Sequence, residues 1–164
     1  MHELMSNPVG FRTAYPNRIV NSIYYDDLDY NAYNDNLLGI GHRVKYRVRW
    51  YGPSIEKAKR PILEKKIKIN QLGTKEYLSL HDFNIMDGLP DINAQVPQIP
   101  KALYPHIIVR YSRTYLESAD SLIRATVDNN LQYINLISGS ISDQRYDDNN
   151  YICLLYTSDA ADDS

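Results

Sequence analysis

A chain of 164 residues fits one domain and can bury a real core, and a hydrophobic share of 43% argues against disorder. No apolar run approaches the roughly 18 residues needed to cross a bilayer, and no signal-peptide pattern opens the chain, so a soluble, cytoplasmic protein is expected. The formal charge of −2 conceals an asymmetry: between Arg43 and Lys75 stand eleven Lys or Arg, opposed only by Glu56 and Glu64. One concentrated basic stretch in a near-neutral chain points to an anionic ligand at a defined place and away from a general nucleic-acid coat.

In chain order, Arg18 to Asp26 has the β-branched and aromatic content of a strand. Asp29 to Leu38 predicts a short helix that Asp29 can cap and Gly39 can end. His42 to Tyr51 alternates strictly between polar and apolar, and Gly52-Pro53 turns the chain. Arg60 to Asn70 alternates again, and Leu72-Gly73 predicts a hairpin into Lys75 to Leu80. Residues 82 to 101 read as a connection or a short helix on the outside. Ile107 to Leu116, Leu122 to Val127 and Leu131 to Ile137 complete the strand-like runs. With 15 Tyr against 2 Phe and 1 Trp, these are strands suited to half-buried positions. The fold class expected is α+β, mainly antiparallel β, as a sheet or barrel.

A strand turns alternate side chains to opposite faces. Arg43, Lys45, Arg47 and Arg49 therefore share one face, with Val44, Tyr46, Val48 and Trp50 on the other. Next neighbours on a face lie about 7 Å apart, so two such cations repel by about 2.4 kcal/mol at an effective dielectric of 20. Inside an enclosure that row calls for an anion; on an open outer surface it would cost little. The second strand puts Glu64, Lys66 and Lys68 on one face, and Lys75 follows the turn. Glu64 is there either an ion-pair partner or a hard oxygen ligand for Mg²⁺ or Mn²⁺. Later strands add Tyr111, Arg113 and Tyr115, then Arg124, Thr126 and Asp128. Together these residues suit several linked phosphates, which match Arg forks and Lys point charges. His2, His42, His81 and His106 lack ligand spacing, and Gly39-Ile-Gly41 lacks the rest of a dinucleotide loop.

The series Arg18-Ile-Val-Asn-Ser-Ile-Tyr-Tyr-Asp26, Arg43-x-Lys-x-Arg-x-Arg-Trp-Tyr-Gly52, Leu63-Glu-x-Lys66, Tyr111-x-Arg113 and Ile123-Arg-x-Thr-x-Asp128-x-Asn-Leu131 closely resembles the vacuolar transporter chaperone (VTC) domain. That domain is the polyphosphate polymerase branch of the triphosphate tunnel metalloenzymes. The resemblance implies a tunnel of eight antiparallel strands with short flanking helices. It implies a nucleoside triphosphate such as ATP, a divalent cation, Mn²⁺ or Mg²⁺, and transfer of the terminal phosphoryl to a growing polyphosphate chain. Carried onto matching positions, Arg47, Arg49, Lys66 and Arg124 would act in catalysis. The same four would bind phosphate together with Lys68, Lys75 and Arg113, and with Arg43 and Lys45 near the tunnel mouth.

The resemblance also implies an opening strand before residue 1 and a closing segment after residue 137, bearing a metal-holding glutamate and a further lysine, and both are expected to be missing from this chain. The expected organisation is thus a partial domain over 1–152, inactive as this fragment. Residues 153–164 contain Cys153-Leu-Leu-Tyr-Thr-Ser-Asp-Ala-Ala-Asp162, which resembles a translated sequencing adapter and is expected to be non-native. The alternatives to polymerisation are triphosphate hydrolysis in the same fold and a noncatalytic module for polyphosphate or RNA. Tyr46 and Trp50 lie opposite the arginines, which disfavours base stacking and a nucleic-acid partner.

Overall fold

The computed structural model describes residues 6, 8–96, 102–137 and 140–157, with the side chains of 137, 140, 142 and 143 excepted. Residues 97–101 of the predicted connection, His2 and residues 158–164 of the predicted tail lie outside the described residues. The strands are β1 (Arg12–Asp26), β2 (His42–Tyr51), β3 (Lys57–Ala58), β4 (Ile62–Ile69), β5 (Leu72–Ser79), β6 (Phe83–Asn84), β7 (Tyr104–Glu117), β8 (Ile123–Ile137), β9 (Ser140–Asp148) and β10 (Ile152–Thr157). One helix, α1 (Asn31–Leu37), follows β1, and a 3₁₀ turn spans Ile85–Asp87. The main sheet runs β10-β8-β7-β1-β2-β4-β5 with neighbouring strands antiparallel, and β9 also pairs with β8. Among the described residues β5 and β10 do not pair, so the sheet is mainly antiparallel β but is not closed into a barrel.

The alternation in β2 decides which face is dry. Tyr46, Val48 and Trp50 are buried, and with Ile23, Leu63, Ile108 and Ile134 they form the main core on the convex face. The connection after β5 covers them: Phe83 packs edge-on against Trp50 at 5.8 Å between centroids, and Ile85 and Ile92 are buried beside it. The Trp50 indole donates to the Ser54 carbonyl at 3.1 Å, so burying the ring strands no donor. The predicted outside connection is therefore the lid of the core, and the charged face of the same strands is left to line a concavity.

The helix differs from expectation at its start. Its first-turn N–H groups go to acids before it: Asn31 to Asp27, and Ala32 and Tyr33 to Asp26. Asp29 instead donates its own N–H to Asp27 and accepts from the Asn34 side chain through its carbonyl. A left-handed Tyr30 (φ 55°) makes this geometry possible by turning the chain back over the end of β1. Gly39 (φ +68°) ends the helix as predicted, where a side chain would be strained.

The two runs predicted at 122–127 and 131–137 are one strand, β8, interrupted by a bulge. Opposite Arg110 and Ser112 of β7, β8 advances three residues, from Gln132 to Asn129, and Asn130 takes a left-handed φ of 51°. The extra residue reverses parity, so the inward face of β8 is Arg124, Thr126, Asp128 and then Leu131 and Tyr133. Strands β9 and β10 were not expected; β10 pairs with Ile123–Asp128 and includes residues 153–157 of the predicted tail. Among the described residues no helix is long and apolar enough to cross a membrane.

Candidate phosphate-binding site

Seven strands deliver basic or acidic side chains or hydroxyls to one concavity of about 980 Å³. Arg47 and Arg49 enter from β2, Lys66 from β4, Lys75 from β5, Arg113 from β7 and Arg124 from β8. Among the described residues two carboxylates, Glu64 and Asp128, line the same space. All six of those basic residues were expected on one face, and the structure brings them together. Arg43 and Lys68 share that face by parity, but they sit opposite each other at the end of the β2–β4 pair and are not among the residues lining the concavity, Arg43 having been expected only near its mouth. Arg43 there donates to the Ile40 carbonyl at 2.8 Å. Lys45 lies between, lining a neighbouring cleft.

The two acids are already spoken for. Glu64 is gripped by Arg47, with N···O distances of 2.6, 2.7 and 2.9 Å, and Arg49 stands 3.8 Å away. Burial pushes the Glu64 carboxyl up, but the Arg47 fork and the nearby Arg49 and Lys75 charges hold it below its ordinary value. Burial likewise draws the Arg47 guanidinium down, and its bonds to Glu64 and Tyr24 more than reverse this. Across the concavity Arg113 makes the same two-pronged contact with Asp128, at 2.6 and 2.7 Å, which raises the guanidinium above its usual range. Arg124 is looser, 3.7 Å from Glu117 and half exposed.

The lysines carry the uncompensated charge. Lys45, Lys66 and Lys75 are directly opposite one another on β2, β4 and β5. Like charges so placed repel. Among the described residues no carboxylate lies within ion-pair distance of Lys66 or Lys75. Burial lowers the Lys45 ammonium's pKa, and Arg43 and Lys66 push it the same way against the weaker pull of Asp26. A ligand with several negative charges would relieve this row at once.

Sequence reasoning missed two neutral contributors and one cation beside them. Ser22 and Tyr24 of β1 accept from Arg49 and Arg47 at 3.2 Å each, and Arg18 lays its guanidinium over the Tyr51 and Tyr115 rings at 5.8 and 5.7 Å. Strand parity would have found them, since Arg18, Ser22 and Tyr24 alternate along one face of β1. As expected, Tyr46 and Trp50 are buried on the face opposite the arginines. Other strands do bring rings to the concavity: Tyr111 and Tyr115, expected beside Arg113, and also Tyr24 and Tyr77.

A divalent cation needs free oxygen ligands. Both oxygens of Glu64 face guanidinium groups, Asp128 is forked by Arg113, and the described residues contain no cluster of three metal-binding side chains. The described residues therefore do not form a cage for Mg²⁺ or Mn²⁺, and Glu64 stands as the ion-pair partner. Residues 7–157 of the chain match the VTC domain family. No curated protein sequence matches the chain significantly.

Proposed function

The chain belongs to the VTC domain family, and from that premise we propose that its concavity holds linked phosphates for polyphosphate synthesis. The observation that carries the reading is the convergence of six cations on a space holding only two carboxylates, both already paired. In the reaction, a terminal oxygen of the polyphosphate acceptor attacks the γ-phosphorus of a nucleoside triphosphate. The bond from that phosphorus to the β–γ bridging oxygen breaks, and the nucleoside diphosphate leaves with the electron pair. Such a step needs alignment and charge stabilisation and little covalent help from the protein. Arg47 and Arg49, two residues apart on one strand, are placed to bridge successive phosphates. Lys66 and Lys75 neutralise the donor chain, while Arg113 and Arg124 face them from the opposite wall for the acceptor.

The test is product analysis by ³¹P NMR. A chain extended to include the expected flanking strands, given ATP and Mn²⁺, should yield internal phosphate resonances that grow with time. Orthophosphate alone would replace polymerisation by hydrolysis. Tripolyphosphate binding that single-stranded RNA competes equally would favour a noncatalytic binding module, for which the tyrosines in the concavity supply stacking surfaces.

A further inference from the structure

At the end of the sheet where Arg43 faces Lys68, the molecule carries an apolar rim that the core does not use. We infer that this rim is a docking surface for an anionic lipid bilayer: its aliphatic tips enter the interface, and the two cations meet the headgroups. The inference goes beyond the phosphate reading and does not depend on it.

A helix of two turns is too short to persist alone, and a surface helix usually contributes an apolar stripe to a core. Helix α1 contributes none. It buries no residue, and backbone bonds to Asp26 and Asp27 hold it in place instead. Its Tyr33 and Leu37 lie four residues apart, on one face, and both are exposed; Leu38, 76% exposed, and Ile40 continue the apolar run. The β4–β5 hairpin adjoins this loop. Asn70 donates its N–H to the Gly41 carbonyl at 2.7 Å, and Ile69 and the 78% exposed Leu72 pair across the hairpin. Singly exposed leucines are ordinary, but Leu37, Leu38, Ile40, Ile69 and Leu72 gather on two adjoining tips, and such a patch marks a contact surface.

Charge decides the occupant. Arg43 donates to the Ile40 carbonyl at 2.8 Å, which sets its guanidinium against the apolar loop, and Lys68 stands directly opposite it on β4. Among the described residues no carboxylate lies within ion-pair distance of either cation, and α1 carries a single acid, Asp35. On an acidic bilayer the burial of aliphatic tips and the attraction of cations for headgroups add together. Tyr33, with an apolar ring and a polar tip, suits the headgroup level. A nucleic acid would use the cations but leave the leucines in water. Leu38 and Leu72 stand too far open to be the walls of a groove for a partner helix.

Vesicle flotation of the 164-residue chain tests this. Pure phosphatidylcholine is compared with an equal mixture of phosphatidylcholine and phosphatidylserine, in excess tripolyphosphate so that headgroups do not occupy the concavity. The chain should float with the mixed vesicles only. Leu37→Ser combined with Leu38→Ser should weaken that binding at least about tenfold, and Lys68→Gln about fivefold. The two leucines lie outside the concavity, so their variant should keep the parent's melting temperature and tripolyphosphate affinity, which reports that it folds. No flotation with mixed vesicles, equal flotation with both kinds, or full binding by the leucine variant would overturn the proposal. So would a dimer in sedimentation that the leucine changes dissolve, because the patch would then face a second copy. None of these results bears on the phosphate site, which titration with tripolyphosphate tests separately.

Discussion

Glu64→Gln is a perturbation whose sign should depend on the ligand. In the free protein Glu64 is the acid between Arg47 and Arg49, at 2.6 and 3.8 Å from the nearest nitrogens. Without its charge, two guanidinium groups about 7 Å apart repel by about 2.4 kcal/mol at an effective dielectric of 20. Removing one partner of a fully buried pair costs about 3–5 kcal/mol. The Arg47 side chain is 23% exposed, and water in an open concavity screens part of that, leaving a loss of about 2 kcal/mol. For a chain of this size that lowers the melting temperature by about 4–8 °C. Tripolyphosphate supplies the missing negative charge and no longer competes with a carboxylate for Arg47. Its stabilising effect should therefore be larger in the variant than in the unaltered protein. Scanning calorimetry at low salt, with and without tripolyphosphate, measures both shifts. A variant as stable as the parent without ligand, or one that gains less from tripolyphosphate, would refute the reasoning.

Two further outcomes follow from the same geometry. Arg49→Ala removes a cation whose hydrogen bonds go to neutral hydroxyls, so it should melt close to the parent while losing at least about tenfold in tripolyphosphate affinity. Arg47→Ala should lose affinity and stability together, because it strips the fork from Glu64; equal melting losses in the two variants would contradict these assignments. The folded-state pKa of Glu64 lies below its unfolded value, so its stabilising contribution is present above the unfolded pKa and is lost as pH falls through the folded one. Urea unfolding at a series of pH values should thus show the parent's advantage over Glu64→Gln shrinking as pH drops below about 5, and an advantage that persists in strong acid would argue against it.

The part of the site legible in the sequence was the part that obeys simple strand parity. Arg47, Arg49, Lys66, Lys75, Arg113 and Arg124 all sit in uninterrupted alternation, and all face one concavity. The same rule sent Val48 and Trp50 to the core on the other face. Parity gives a face but not a length, which is why Arg43 and Lys68 share the face yet lie past the end of the concavity. Nor does it survive a bulge: Asn129-Asn130 reverses β8, and only an Asn pair inside a strand-like run hints at the left-handed residue there. The pairing of Arg113 with Asp128 depends on the β7–β8 register, which a single strand's pattern does not contain. The turn at Tyr30 was hidden for a different reason. A tyrosine has no local preference for that backbone, and two neighbouring aspartates impose it through hydrogen bonds.

Whether the cations of neighbouring strands act on one bound anion can be followed by NMR of the arginine side-chain N–H groups during a tripolyphosphate titration. Arg47, Arg49 and Arg113 should shift together along one saturation curve, while Arg110, which donates to the Pro53 carbonyl outside the concavity, stays still. Shifts confined to Arg110, or none that saturate, would contradict a phosphate site built on the inner face of this sheet.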